Sequence, residues 1–136
     1  MDFTSMNIWA ILLCVAANGI LGALWYSPVL FANQWVAARG LKMEEINRNG
    51  MGSSYAFMMI GALISAISLS LILSSFENMT IGTGAFTGFL CGFGIASMRE
   101  LAPTMFEDRS KKLFFISAGY HTVSLTLMGI IIAAFI

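Results

Sequence analysis

A chain of 136 residues in which 58% are apolar and only 10% charged cannot cover itself with polar surface, which excludes an ordinary water-soluble domain. Seven basic residues balance seven acidic ones, so no nucleic-acid partner is expected. The chain also lacks a nucleotide-binding glycine loop and a serine nucleophile elbow, which removes the common soluble enzyme classes.

The apolar material falls into four blocks, each long enough to cross the hydrocarbon layer as a helix, at about 6–26, 53–76, 80–101 and 113–135. Strands would need short segments of alternating polarity, and runs such as Ile60 to Leu73 and Val123 to Ile136 lack that alternation. The fold class is therefore all-α: a single four-span membrane bundle over residues 1–136. The first residues carry Asp2 and no Lys or Arg, so the opening segment is expected to be retained rather than cleaved as a secretory signal.

In the first span, Ala10, Cys14, Asn18 and Gly22 recur every four residues and line a small-residue face carrying one amide. Trp9 and Trp25-Tyr26 are spaced as interfacial anchors, and Pro28 stops the helix. After it, Leu30, Phe31, Gln34, Trp35 and Ala38 share a face, which predicts a short interfacial helix. Arg39 to Gly52 reads as a solvated loop.

The second span places Ser65, Ser68 and Ser70 among small and apolar residues, where their own helix carbonyls can satisfy them. In the third span Gly84, Gly88 and Gly92 recur at intervals of four, a groove for close helix contact that predicts a homo-oligomer. Arg99 and Glu100 close it, either snorkelling to the interface or forming a gate or anion-binding pair. Cys14 and Cys91 lie within spans and are read as reduced, small apolar residues.

The fourth span carries Ser117, Tyr120, His121, Thr122 and Ser124. His121, the single histidine, lies well inside the membrane and needs a hydrogen-bond partner there. Asn18 and His121 lie about 12 and 13 Å along their helices from the same membrane surface, so a bond between them, direct or through one water, is expected. No clustered His or Cys suggests a metal site, and no cofactor is expected.

All seven basic residues fall in or beside two alternate connections, Arg39, Lys42 and Arg48 in the first and Arg99, Arg109, Lys111 and Lys112 around the second. That bias puts both basic loops in the cytoplasm and both termini outside. A duplication is visible too: Gly19-Ile20 and Ser27-Pro28-Val29-Leu30-Phe31 match Gly94-Ile95 and Ala102-Pro103-Thr104-Met105-Phe106. The unit would be a two-helix hairpin repeated in parallel.

Through Trp25-Tyr26-Ser27-Pro28, Phe31, Trp35, Phe106 and Gly119-Tyr120, with Gly129 following, the chain resembles the bacterial membrane proteins grouped as domain of unknown function 1761. The resemblance covers nearly the whole chain. Its most specific part is Gly-x-x-Trp-Tyr-Ser-Pro-x-x-Phe; Ser117 stands where an asparagine is common in the group. It implies four spans, a bacterial inner membrane and no established activity.

Two function classes lead. One is an oligomeric channel- or transporter-like protein whose path is lined by Asn18, His121, Arg99 and Glu100. The other is a noncatalytic assembly subunit of the membrane. A third, the small four-span enzymes of glutathione and eicosanoid chemistry, finds no matching motif, and small multidrug exporters differ in needing a first-span carboxylate, which is absent between Met6 and Tyr26. No residue receives a catalytic role. The expected partners are the lipid bilayer and further copies of the chain.

Overall fold

The computed structural model describes residues 6–27, 30–38 and 51–135. Its elements are α1 (Ile8–Trp25), α2 (Ala32–Ala38), α3 (Met51–Leu73), α4 (Ile81–Phe89), a π-helical segment (Leu90–Ser97), α5 (Leu101–Phe106) and α6 (Lys111–Ala134), with no strand among the described residues. Four stretches are long and apolar enough to cross a membrane: Ile8–Trp25, Ser54–Leu73, Ile81–Phe106 and Lys111–Ala134. The arrangement is compatible with a helical membrane bundle, since large side chains such as Ile20, Phe57, Phe86 and Phe115 point outward.

Local chemistry sets the ends. The Asn7 side-chain oxygen accepts the backbone N–H of Trp9 at 2.9 Å and of Ala10 at 3.3 Å, capping α1. Thr80 caps α4 through the Thr83 N–H at 3.1 Å. Helix α5 ends in a left-handed turn: Asp108 has φ 53°, and the Arg109 N–H reaches back to the Thr104 carbonyl at 3.0 Å, satisfying a carbonyl that the helix end would orphan.

The third span departs from its expected end near 101. It runs on to Phe106, because Pro103 lies in the first turn of α5, where its missing N–H costs least, rather than acting as a stop. Pro28, the other half of the repeated punctuation, lies outside the described residues, as do Arg39, Lys42 and Arg48 of the first basic loop.

Helix α6 is the hub, packing against α1, α3, α4 and the π segment. On one side it closes a core of Ile11, Cys14, Ala62, Ala66, Leu69, Leu73 and Ile132 around Met128. On the other it lies almost backbone to backbone against the glycine face of the third span. A Cβ at Gly84 would overlap the Gly129 carbonyl, one at Gly88 the Leu125 carbonyl, and one at Gly92 would come within 2.6 Å of the His121 carbonyl. The groove read as an assembly surface is therefore filled from within the same chain, so it no longer argues for oligomers.

Candidate functional site

The residues that carried the family resemblance converge at one end of the bundle. The Trp25 ring lies 4.9 Å from Phe31 and 6.4 Å from Tyr120, while Tyr26 packs edge-on against Trp35 at 6.2 Å and on Tyr120 at 5.7 Å. The chain turns back to make this cluster through the Phe31 N–H, which donates to the Trp25 carbonyl at 3.1 Å. Across the bundle the Trp25 indole N–H donates to the Ile116 carbonyl at 2.9 Å. Gly119 supplies the room: a Cβ there would stand 2.8 Å from the indole ring. Two of them stand apart: Phe106 is 91% exposed, and Gly129 packs against Gly84 of the third span.

Beneath the aromatic layer lies the buried amide. The Asn18 Oδ1 accepts from the Tyr120 hydroxyl at 2.9 Å and from the Ser124 hydroxyl, and Tyr120 also reaches the Asn18 carbonyl at 3.3 Å. The expected Asn18–His121 bond is thus corrected. The amide does meet α6 at the anticipated level, but through positions 120 and 124, which share a face, whereas His121 is turned about 100° away. Because the Asn18 oxygen holds two hydroxyls, replacing Asn18 or Ser124 by alanine should be nonadditive. A double-mutant cycle on unfolding in lipid should give a coupling of about 1 kcal/mol, and a coupling near zero would refute the bond.

His121 turns instead to the third span. Its Nε2 lies 3.0 Å from Glu100 Oε1, with the two side chains 34% and 40% exposed. Glu100 therefore pairs with the imidazole rather than with its neighbour Arg99, which is exposed. Of the two roles expected for Arg99 and Glu100, a shared gate or anion-binding pair is not what this arrangement favours, because consecutive helical residues point about 100° apart.

Ser97 was not singled out from sequence, yet it joins the third span to α6. It is fully buried, and its hydroxyl lies 2.7 Å from the Gly92 carbonyl, 3.1 Å from that of Ala118 and 3.5 Å from the Thr122 hydroxyl. The available signal was only a lone hydroxyl in an otherwise apolar run: on an α-helix Ser97 would lie about 140° from Gly92, and the π register is what brings the two together.

Glu100 also faces a cleft of about 630 Å³, open at this end of the bundle, between α2, α5 and the start of α6. Trp35, Glu107, Asp108, Arg109, Phe114 and Ser117 complete most of its wall. Arg109 is paired with Glu107, which leaves the carboxylates of Glu100 and Asp108 to set the sign of the cleft. Such a site can hold a small cation against carboxylates and aromatic faces, and can pass a proton between Glu100 and His121. Among the described residues no three His, Cys, Asp or Glu side chains come together to hold a metal.

A protein-family model described as protein of unknown function (DUF1761) matches residues 9–133. No curated protein and no solved structure matches the chain.

Proposed function

The chain belongs to the DUF1761 family, and we propose that it is a small multi-pass carrier of the bacterial inner membrane that takes a small cationic solute into the Glu100 cleft and couples it to a proton held with His121. The observation that carries this reading is the double position of Glu100, which lines an open cleft on one side and bonds the only histidine, within apolar spans, on the other. Its orientation follows from the basic residues, with both basic connections and the cleft in the cytoplasm and both termini outside. Helix α2 lies along the interface with Trp35 as its anchor. The pairing of α1 with α3 and of α4 with α6 supports two tandem parallel hairpins. Assembly into a homo-oligomer is part of the proposal, supported by Gly19 and Gly61, which have open space where a neighbour could sit.

The test is uptake of ethidium, as an organic monocation, into vesicles carrying the protein and a pH gradient. Glu100→Gln should lower uptake about tenfold or more, the weight of one charge-assisted contact. Uptake no greater than in protein-free vesicles, or unchanged in the variant, would overturn the reading. The same open positions, Gly19 and Gly61, favour a second reading as a noncatalytic assembly subunit, for which a stoichiometric neighbour would co-purify from native membranes.

A further inference from the structure

The third span carries an unusual backbone just before its charged pair. From Leu90 to Ser97 it is π-helical, so its backbone bonds span five residues; the Leu90 N–H at its start still reaches only Phe86 and Thr87. A π turn holds one residue more than the α turn it replaces, so everything after it sits one position, about 100°, behind an unbroken α-helix. The wide register is held by Ser97, whose hydroxyl sits on the Gly92 carbonyl five residues back and on Ala118 of α6. The backbone then tightens: the Met98 N–H reaches Ile95 and the Glu100 N–H reaches Ser97, each only three residues back. Pro103 has no N–H to give the Arg99 carbonyl, so the helix is hinged at this point.

We infer that this segment has two registers, and that relaxing its π ladder to an α ladder exchanges Glu100 for Arg99 opposite His121. In the second register each residue moves forward one place. Ala96 takes the fully buried site of Ser97, which a smaller side chain fits, and Arg99 takes the place of Glu100. A carboxylate at the cleft is thereby replaced by a guanidinium, and a bound cation is repelled rather than held. The hinge ahead of Pro103 absorbs the rotation, so α5 and the Asp108 turn need not move with it. The exchange supplies the two states that a carrier requires, and in that purpose it rests on the carrier reading; the structural change itself is read without any solute.

The experiment is disulfide formation in the full-length chain in lipid vesicles. Cys14 is fully buried, so Cys91→Ala clears the background. One variant carries Glu100→Cys with His121→Cys, the other Arg99→Cys with His121→Cys, and oxidation is followed by loss of maleimide labelling. Both pairs should close. Adding Ser97→Ala should raise the yield of the Arg99→Cys pair relative to the Glu100→Cys pair by about fivefold, the weight of one lost hydrogen bond. Deleting Gly94, which has open space around it, removes the extra residue and locks an α-helix with Glu100 still in place. That deletion should abolish the Arg99→Cys disulfide and spare the Glu100→Cys one, which also shows that the deleted chain folds. An Arg99→Cys pair that never closes, or that closes equally with and without Gly94, overturns the inference. Neither outcome depends on transport, so failure of the carrier reading is seen separately in the uptake assay.

Discussion

Gly88→Ala should destabilise the protein by about 3 kcal/mol or more, although alanine is the better helix former. The intrinsic helix preference favours the substitution by only about 1 kcal/mol. Against it stands an overlap between the new Cβ and the Leu125 carbonyl oxygen. No rotamer change relieves that overlap, because the opposing atom is backbone. Helix α6 would have to retreat, and it would take the Gly84–Gly129 contact with it. Gly82→Ala is the matched control, since its Cβ meets only the Thr80 hydroxyl at 3.7 Å, an ordinary contact. Unfolding in mixed micelles titrated with dodecyl sulfate separates the two cases. Gly88→Ala unfolding at the wild-type detergent fraction would contradict backbone-close packing of the third span on α6.

Trp25→Ala should cost about 3 kcal/mol, because it empties the place where Phe31, Tyr120 and Gly119 meet and leaves the Ile116 carbonyl without its indole donor. The sharper measurement is the pair with Gly119. Gly119→Ala puts a methyl 2.8 Å from the outer ring of the indole, which should cost about 2 kcal/mol. In a Trp25→Phe background that ring is shorter, and the same substitution should cost less than half as much. The coupling, about 1 kcal/mol, identifies Gly119 as the space the indole requires. Strictly additive single changes would show that the two do not meet.

The four long helices were legible because lipid demands long apolar blocks, and composition reports those directly. The groove of Gly84, Gly88 and Gly92 was legible as a surface of close approach, but its partner was not. Spacing on one helix says how near a neighbour comes, not which neighbour, and the complementary Gly129 on α6 was the unused signal. For Asn18 the depth was readable from helix rise, while the face depended on a single step along α6, from His121 to Tyr120. Glu100 was legible as a candidate, but its pairing with His121 was hidden for a different reason. The π segment shifts the register ahead of it, and Gly-rich apolar sequence carries no periodic mark of where such a turn is placed. The aromatic motif was visible as a string of residues; its meaning as one packed cluster around Trp25 required the fold.

The hub position of α6 also orders events during synthesis. Synthesis completes α1, α3 and α4 before Lys111–Ala134 exists, so the glycine face of the third span and the Asn18 amide are made before their partners. In that interval α1 can pair with α3, and α3 meets α4 only lightly. The hydroxyls of Tyr120 and Ser124, the carbonyls opposite Gly84 and Gly88, and the imidazole for Glu100 then arrive together on one helix. Completion of the bundle therefore waits on this one helix, and a chain that stops short of it carries an amide and a carboxylate without the partners they have in the finished fold.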